Sequence, residues 1–356
     1  MPDLRAVRYT PHSMLFESDF TMDIAALKKI LLNPGMYPDH PKEVCFLETH
    51  ISLLFLTGNH VYKVKKPVDF GFLDFTSLQK RKYFCEQEVK LNRRLAPDLY
   101  LGVVEIKDEQ GQISLGGRGK IVEYAVKMKQ IPEERLMNHL VRTNQVTTPM
   151  VEFLSETLVH FYATTETSDI IKSFARPERV KQDTDENFNQ TEKYRDVTIS
   201  GEQYSEIEHW TNDFFKRHED LFHKRIASDR IRDCHGDLRL EHIFWGETLS
   251  IIDCIEFNER FRYTDVAADI GFLAMDLDYH EREDLSDRLI DAYVKHSGDG
   301  ELRGMLDFYK CYRAYVRGKV ESFRLDDPNI PQEEKVEARR RAQRYFELSH
   351  RYALGS

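Results

Sequence analysis

Two stretches of the chain carry residues whose types and spacing could do chemistry. The first reads Asp-Cys-His-Gly-Asp-Leu-Arg-Leu-Glu-His-Ile-Phe over 233–244; it places Asp237 next to a glycine, Arg239 two residues later and His242 three residues beyond. In the second, an apolar run predicted to be a short strand ends at Asp253. Phosphoryl transfer needs such a set, because one carboxylate orients a hydroxyl group, other ligands hold Mg²⁺, and a cation stabilises the phosphates. The alternative is an ordinary turn followed by a helix-capping aspartate, which the agreement of two spaced motifs disfavours.

The first stretch resembles the catalytic loop of protein-kinase-like enzymes. Against the kinase form His-Arg-Asp-Leu-Lys-Pro-Glu-Asn, the chain matches at His235, Asp237, Leu238 and Glu241, and Arg239 takes the place of the lysine. The glycine after the histidine is typical of the aminoglycoside phosphotransferase-like branch, to which choline and fructosamine kinases are related. This resemblance implies an α+β, bilobal protein-kinase-like fold, in which ATP binds between a small antiparallel-sheet lobe and a larger helical lobe. It also implies transfer of the γ-phosphate of ATP to a hydroxyl group of a small molecule.

The same resemblance assigns roles to the residues of both stretches. Asp237 would orient the acceptor hydroxyl and accept its proton, Arg239 would contact the phosphates, and Asp253 with His242 would hold the metal. His242 stands where the family usually has an asparagine, and Asp-Cys-Ile replaces Asp-Phe-Gly at 253–255. Because neutral histidine prefers softer ions than Mg²⁺, Mn²⁺ is a second candidate. His242 could instead form hydrogen bonds only within the loop.

Two features of the sequence leave other functions open. They are the histidine at the metal position and the absence of a glycine-rich phosphate loop; the glycines at 116–119 lack the spacing, the following Ser or Thr and the helix of such a loop. A pseudokinase or nucleotide-binding scaffold is therefore one alternative. A protein kinase or a nucleotidyltransferase is another.

A predicted hairpin carries the candidate nucleotide-binding strand. Two apolar runs, 51–56 and 61–66, flank a Gly-Asn turn. In the second run Val61, Lys63 and Lys65 share one face, because side chains alternate along a strand. The resemblance implies that Val61 covers adenine and that Lys63 reaches the phosphates. Lys65 is the competing candidate, and both lysines could simply be solvated charges on an edge strand.

An amphipathic helix predicted over 78–95 follows this strand. Glu88 falls on the apolar stripe of the helix, whereas Glu86 points away from it. A carboxylate on an inward face needs a partner. The resemblance supplies one, since kinases pair a helix glutamate with the strand lysine, and Glu88 is the predicted residue. The alternative is a surface glutamate.

The remaining predictions concern domain organisation. We expect a loose leader at 1–22, a nucleotide-binding lobe at 23–130 and a helical lobe at 131–356, with a polar, exposed or mobile insertion near 176–204. Between the lobes, backbone groups around Met128, Gln130 and Ile131 are expected to bind adenine. In the helical lobe, the resemblance implies that a buried aspartate braces the catalytic loop, and Asp269 fits that position.

Composition limits the partners and the location of the protein. The net charge of −10 over 356 residues offers no basic excess for nucleic acid, and it permits a cationic acceptor. No apolar run is long enough to span a membrane. Five scattered cysteines suit reduced thiols, and no signal peptide is seen at the N-terminus, so a cytoplasmic protein is expected. Oligomeric state is not indicated.

Several short blocks carry a closer resemblance. They are similar to an uncharacterised bacterial family described as aminoglycoside phosphotransferase-like, some longer members of which add a C-terminal Walker-type kinase domain. The similar blocks are 48–52, 62–68, 72–75, 91–100 and 253–258. Because that description rests on fold, the resemblance does not identify the acceptor.

Overall fold

The computed structural model describes residues 23–355. The leader predicted at 1–22 lies outside this range. The described chain divides into two compact units. Unit 1 comprises the described residues up to Glu86 together with Gly102–Met128, and unit 2 comprises Gln87–Leu101 and the described residues from Lys129 onward.

Unit 1 is built on a six-stranded antiparallel sheet with the strand order β1-β2-β3-β6-β4-β5. The strands are β1 (Cys45–Glu48), β2 (Ser52–Leu56), β3 (His60–Lys65), β4 (Tyr100–Glu109), β5 (Gln112–Leu115) and β6 (Lys120–Lys129). Helix α1 (Ile24–Leu31) shares a core with one face of the sheet, and helix α2 (Leu78–Asn92) follows β3 in the chain. The end of α2, from Gln87, belongs to unit 2.

The predicted hairpin is formed by β2 and β3. Its antiparallel register places Lys63 opposite Leu54 and Lys65 opposite Ser52. Tyr62 and Val64 are buried in the core that includes α1. Because side chains alternate along a strand, Val61, Lys63 and Lys65 lie on the opposite face of β3. The alternation predicted from the sequence is therefore confirmed.

Unit 2 is mainly helical. Its helices beyond α2 are α3 (Met137–Arg142), α4 (Thr148–Thr164), α5 (Asp169–Ser173), α6 (Pro177–Thr191), α7 (Gly201–Ala227), α8 (Glu259–Arg262), α9 (Val266–Tyr279), α10 (Glu283–Ser297), α11 (Leu302–Phe323) and α12 (Gln332–Leu354). Two short strand pairs interrupt the helices: β7 (Ile231–Asp233) pairs with β10 (Tyr263–Asp265), and β8 (Ile243–Trp245) pairs with β9 (Leu249–Ile251). The predicted fold class, α+β with a small antiparallel sheet and a larger helical part, is confirmed.

The segment near 176–204, expected to be an exposed or mobile insertion, forms α6 and the beginning of α7, and several of its side chains are buried, so the expectation that it is exposed was wrong. Helix α6 contacts α7 and α11, and it buries Phe188 together with Thr184 and Asn187. Several of the inward positions are polar residues with hydrogen bonds inside the fold. Thr191 Oγ1 donates to the carbonyl oxygen of Asn187 at 2.9 Å, and Asn187 Oδ1 accepts from Lys319 Nζ of α11 at 2.6 Å. Polar composition was therefore misleading, because polar side chains can be buried when they are hydrogen-bonded.

Helix α9 is the central element of unit 2, and its residues from Val266 to Asp278 are all buried. At its start the Asp265 side chain accepts a hydrogen bond from the Ala267 N–H at 2.9 Å. The same carboxylate receives two hydrogen bonds from Arg225 of α7, at 2.6 and 2.8 Å. This buried ion pair fixes the beginning of α9, and the helix can then position the loops that pack against it.

Two further sequence predictions are tested by the described residues. The five cysteines all lie within residues 23–355 and are free. None of the helices in that range combines the length and the apolar character that crossing a membrane requires.

Candidate active site

The first chemical stretch leaves β7 and turns sharply at Gly236. This residue has φ +87°, a conformation that side chains with a Cβ rarely adopt. A Cβ atom at this position would lie 2.8 Å from the carbonyl oxygen of Phe261. Glycine is therefore required both by the backbone conformation and by the close approach of the neighbouring chain.

Asp269 of α9 holds the beginning of this loop. Its Oδ2 accepts the backbone N–H of His235 at 2.7 Å, and its Oδ1 accepts that of Gly236 at 3.0 Å. Tyr162 of α4 donates a third hydrogen bond to Oδ2 at 3.0 Å. The bracing role expected of Asp269 is thus observed, and the turn is fixed before any side chain of the loop acts.

Asp276, two helical turns further along α9, holds the other end of the loop. Its Oδ2 accepts the backbone N–H of Leu240 at 2.9 Å. Burial raises the pKa of the Asp276 carboxyl, although the charge of Arg239 opposes this rise. Asp276 was not among the predicted site residues. The available signal was its spacing of seven residues from Asp269, which places both carboxylates on one helix face.

Asp237 and Arg239 form a bidentate ion pair within the loop. Nε and Nη2 of Arg239 each donate to one carboxylate oxygen of Asp237 at 2.9 Å. Burial alone would raise the pKa of the Asp237 carboxyl, but the nearby positive charge of Arg239 lowers it well below its usual range. Asp237 is therefore ionised at neutral pH, as a group that orients a hydroxyl by accepting its hydrogen bond must be.

His235 is buried beneath the loop as a neutral imidazole. Burial lowers its pKa from 6.5 to about 4. Its Nε2 lies 2.9 Å from the carbonyl oxygen of Ile252, and its Nδ1 lies 3.3 Å from the N–H of Asp237. These partners fit a tautomer in which Nε2 donates and Nδ1 accepts. His235 thus connects the first chemical stretch to the residue that precedes Asp253.

The two predicted metal ligands lie beside each other. His242 Nε2 is 3.6 Å from Asp253 Oδ2. His242 Nδ1 lies 2.8 Å from the carbonyl oxygen of Asp237 and so acts as a donor, which leaves Nε2 as the acceptor of a neutral ring. Metal-binding histidines usually donate their second ring nitrogen in this way. Arg239 Nη2, at 3.5 Å, also approaches Nε2.

The donor set suits a divalent cation only in part. Ligand bonds of about 2.0–2.2 Å allow one ion to contact an imidazole nitrogen and a carboxylate oxygen at the observed separation. Among residues 23–355 there is no group of three or more His, Cys, Asp or Glu side chains that could hold a metal ion. Further ligands would therefore come from water or from substrate phosphates, as is common for Mg²⁺.

Asp253 sits on an unusual backbone. It has φ +62°, in the left-handed region that few residues other than glycine adopt. Its N–H donates to Tyr100 Oη at 3.2 Å, and the N–H of Cys254 donates to Asn92 Oδ1 at 2.9 Å. Strained backbone of this kind persists only when neighbouring contacts hold it, and it is frequent at active sites.

Arg94, in the turn after α2, joins the two chemical stretches. Its guanidinium donates to the carbonyl oxygens of Asp233 and Cys234, both at 3.0 Å, and Nη2 lies 3.2 Å from Cys254 Sγ. Arg94, Asn92 and Tyr100 were not among the predicted site residues. Their partners are mostly backbone groups, which leave no pattern in a sequence.

The predicted nucleotide-binding residues of unit 1 are Val61, Lys63 and Met128. Val61 is buried, and Lys63 and Met128 are half-buried. The competing Lys65 is completely buried, and its Nζ lies 4.9 Å from the centre of the Phe75 ring.

The predicted nucleotide-binding residues of unit 2 are Glu88, Gln130 and Ile131. Glu88 is completely buried, whereas Glu86, which the helical spacing predicts to point away, is exposed. The inward orientation of Glu88 therefore agrees with the spacing. Gln130 and Ile131, which follow β6, are half-buried.

Comparison with known proteins finds relatives without a characterised function. No family model matches the chain. It is similar to the uncharacterised protein Rv2004c of Mycobacterium tuberculosis, with 33% identity over 280 residues that cover 78% of this chain and 54% of that protein. The uncharacterised protein Mb2027c of Mycobacterium bovis matches to the same extent. The chain therefore spans about half the length of the curated relatives it matches.

Solved structures of several kinases align with the chain at low sequence identity. A choline/ethanolamine kinase family protein from Mesorhizobium loti aligns with a TM-score of 0.48 and 12% identity, covering 93% of this chain and 99% of that one. A glucosamine kinase solved with glucosamine, ADP and inorganic phosphate aligns with a TM-score of 0.45 and 11% identity, covering 85% and 75%. The aminoglycoside phosphotransferase APH(3'')-Id from Streptomyces rimosus gives 0.44 and 15%, covering 82% and 97%.

The sequence motifs and the geometry of unit 2 agree with each other. The His-Gly-Asp loop is braced by an aspartate of a buried helix, and the second motif brings Asp253 next to the loop. The small antiparallel sheet and the larger helical part are the architecture that the motifs imply. These features agree with the kinase-like fold class that the motifs imply.

Proposed function

We propose that the protein is an ATP-dependent phosphotransferase that moves the γ-phosphate of ATP to a hydroxyl group of a small molecule. The observation that carries the proposal is the meeting of Asp237, His242 and Asp253, which come from two separate stretches. His242 Nδ1 contacts the backbone of Asp237 at 2.8 Å, and its Nε2 lies 3.6 Å from Asp253 Oδ2. A carboxylate that can orient a hydroxyl thus lies next to a pair of possible metal ligands, as phosphoryl transfer requires.

Each residue has a distinct role in the proposal. Asp237 orients the acceptor hydroxyl and accepts its proton. Asp253 and His242 would hold Mg²⁺, or Mn²⁺, and a bound ion of this kind supplies positive charge that neutralises the phosphates. Arg239 stabilises the transferred phosphate. The nucleotide-binding residues proposed for ATP remain Val61, Lys63, Glu88, Met128, Gln130 and Ile131.

The ion pair of Asp237 and Arg239 suggests how binding of the nucleotide could prepare Asp237 for the acceptor hydroxyl. While the pair is closed, Arg239 engages both oxygens of the carboxylate. A phosphate would compete for the guanidinium, because bidentate contacts with carboxylate and phosphate use the same planar donors. Arrival of the nucleotide would then free one oxygen of Asp237 for the acceptor hydroxyl.

The same ion pair favours a second candidate, a nucleotide-binding protein that does not transfer phosphate. A carboxylate whose two oxygens are already engaged, and whose pKa is lowered, is a weak proton acceptor. In this alternative Arg239 keeps its hydrogen bonds to both oxygens of Asp237 even when nucleotide is bound. The two candidates make opposite predictions for turnover and the same prediction for nucleotide binding.

The test is to incubate the full chain with radiolabelled ATP, Mg²⁺ or Mn²⁺ and a metabolite extract, and to identify labelled products by mass spectrometry. Label from γ-phosphate on a small molecule supports the proposal. Label from α-phosphate would indicate a nucleotidyltransferase, and label only on protein would indicate a protein kinase. Thermal shift with ATP measures nucleotide binding separately, so binding without transfer to any component would favour the second candidate.

The matched variants are Asp237→Asn and Glu247→Gln. Both replace a carboxylate with an amide, but Glu247 lies exposed in the turn after β8. We expect Asp237→Asn to reduce transfer by about 10²–10⁴ and to leave ATP affinity within a few-fold, because a general base contributes about that much to the rate. Glu247→Gln should behave like the unmodified protein. Turnover of Asp237→Asn above about a tenth of that rate would exclude Asp237 as the base.

A further inference from the structure

Three of the basic residues of helix α11, Lys310, Arg313 and Arg317, lie at helical spacing and differ in how their charges are compensated. Lys310 Nζ donates to Asp278 Oδ2 at 2.9 Å and to Ser286 Oγ at 3.2 Å. One turn later Arg313 is only 8% exposed, yet its Nε has no hydrogen-bond partner, and no carboxylate of residues 23–355 forms an ion pair with it. Arg313 is thus a buried cation without a counter-charge in the described part of the chain.

Among residues 23–355, the groups that compensate the charge of Arg313 are aromatic rings. Its guanidinium carbon lies 4.7 Å from the centre of the Phe272 ring and 5.7 Å from that of Tyr312. Cation–π contacts offset part of the desolvation cost, but a buried charge is fully compensated only by an anion with hydrogen bonds. Arginine retained in such a setting has a free planar donor face that matches carboxylate or phosphate.

Arg317, one turn beyond Arg313, is also incompletely satisfied. Its Nε lacks a hydrogen-bond partner among the described residues, and its Nη2 lies 3.6 Å from Glu321 Oε1. The pair contact is long for a hydrogen bond. Residues four apart on a helix share one face, so the two guanidiniums are neighbours on α11.

This face of α11 borders the catalytic loop. Arg239, which holds Asp237, lies against the same Phe272 ring as Arg313, with its guanidinium carbon 5.9 Å from the ring centre. The charge of Arg317 lowers the pKa of Asp237 and counteracts the rise in that of Asp276, so Arg317 lies near both carboxylates. Phe272 and Asp276 are one turn apart on α9. Arg313, which has no counter-charge among the described residues, and Arg317, whose Nε lacks a hydrogen-bond partner there, therefore lie near the residue proposed to receive the acceptor hydroxyl.

We propose that Arg313 and Arg317 bind an oxyanion, either a carboxylate or a phosphate, carried by the acceptor molecule. The acceptor would then be an anionic hydroxyl compound, in contrast to the cationic acceptor that net charge alone permits. This inference rests on the proposed function. In the reaction, the bond between the γ-phosphorus and the bridging oxygen of ATP breaks, the acceptor oxygen forms the new bond to phosphorus, its proton passes to Asp237, and ADP leaves.

Binding without nucleotide tests the anion site independently of transfer. The probes are inorganic phosphate, glycerate and glycerol 3-phosphate as anions, with glycerol and ethanolamine as neutral and cationic controls, each titrated by calorimetry at constant ionic strength. We expect at least one of the three anions to bind and both controls to fail. Glycerate and glycerol 3-phosphate distinguish a carboxylate from a phosphate. Failure of all three anions would overturn the inference.

Two matched variants on α11 locate the site. Arg313→Met removes the unpaired charge, whereas Arg303→Met removes an exposed arginine whose Nη2 lies 2.5 Å from Asp291. We expect Arg313→Met to weaken anion binding about tenfold or more, because it removes one charge-assisted contact. Arg303→Met should leave anion binding unchanged. ATP affinity should not change in either variant. A loss of ATP binding in Arg313→Met would assign Arg313 to the nucleotide and overturn the inference.

Stability provides a second readout. Without an anion, Arg313→Met should raise the midpoint of thermal unfolding, because it removes an uncompensated buried charge and keeps an apolar side chain on Phe272. A purely structural Arg313 predicts the opposite, a lower midpoint with anion binding intact, and that result would also overturn the inference. Anion binding without any transfer from ATP would instead contradict the proposed function alone. Transfer restricted to neutral or cationic acceptors would contradict this inference alone.

Discussion

Asp276 Oδ2 accepts a hydrogen bond of 2.9 Å from the backbone N–H of Leu240, the residue that follows Arg239 in the catalytic loop. Seven residues earlier on α9, Asp269 accepts the N–H groups of His235 and Gly236. Because α9 is buried along nearly its whole length, one rigid helix holds both ends of the loop. The position of Asp237 between these anchors is therefore set by two carboxylates of one helix.

The two anchors should differ in their effect on stability. We expect Asp269→Ala to lower the free energy of unfolding more than Asp276→Ala, since the first leaves two backbone N–H groups without an acceptor and the second leaves one. Each unsatisfied buried donor costs about 1–3 kcal/mol. Chemical denaturation measures the difference. Asp284→Ala, which removes a carboxylate paired with Arg282 at the surface, is the control and should change stability by less than about 0.5 kcal/mol. Equal losses for the two anchors would contradict the prediction.

Substitutions of the two lysines on one face of β3 should have different effects, one on nucleotide binding and the other on stability. We expect Lys63→Ala to weaken ATP binding and transfer while leaving the unfolding temperature nearly unchanged, because Lys63 is half-buried. Lys65→Ala should mainly reduce stability, because it empties a completely buried position beside Phe75. ATP titration and thermal unfolding of both variants check this. If Lys65→Ala folds normally and fails to bind ATP, the proposed phosphate contact belongs to Lys65, and Val61 loses its proposed role as well.

The histidine at the proposed metal position should control the choice of ion. Imidazole favours Mn²⁺ over Mg²⁺, whereas an amide oxygen suits Mg²⁺. We therefore expect His242→Asn to shift the preference of nucleotide binding and transfer from Mn²⁺ toward Mg²⁺. The measurement is the ratio of ATP affinities, and of rates, with each ion at equal concentration, with Glu247→Gln as the control. An unchanged ratio would mean that His242 only forms hydrogen bonds within the loop.

His235 should make stability depend on pH. Its pKa is lowered to about 4 by burial, whereas in the unfolded chain it should be near 6.5. As pH falls from about 6.5 to about 4, His235 binds a proton in the unfolded chain but stays neutral in the folded protein. The free energy of unfolding therefore decreases by up to about 3 kcal/mol. Below the folded pKa no further loss arises from it, and above pH 6.5 there is no effect.

The variant His235→Gln isolates this contribution. It removes the titrating group and should be less stable than the unmodified protein at pH 7.5, because it disturbs the contacts with Ile252 and Asp237. The difference in unfolding free energy between the two proteins should narrow as pH falls toward 4.5, since only the unmodified protein carries the penalty. Denaturation curves at several pH values measure it. A difference that stays constant with pH would show that His235 titrates normally in the folded state.

Much of the architecture follows from local patterns that the sequence contains. The alternation along β3 predicts which side chains face the core, and the spacing along α2 separates buried Glu88 from exposed Glu86. The resemblance to kinase-like enzymes also implies a bracing aspartate in the helix after the two chemical stretches, and Asp269 occupies that place. These features could be predicted because periodicity and short motifs are properties of neighbouring residues.

Only the tertiary structure decided which distant residues support the site and which are left unsatisfied. Arg94 contacts the backbone of Cys234, 140 residues away, and Asn92 contacts that of Cys254, 162 residues away. Every residue offers the same backbone groups, so such contacts leave no mark in a sequence. The packing of polar α6 and the missing counter-charge of Arg313 could not be predicted from the sequence either. Burial and pairing of a polar side chain depend on what the fold brings next to it, and composition cannot supply that information.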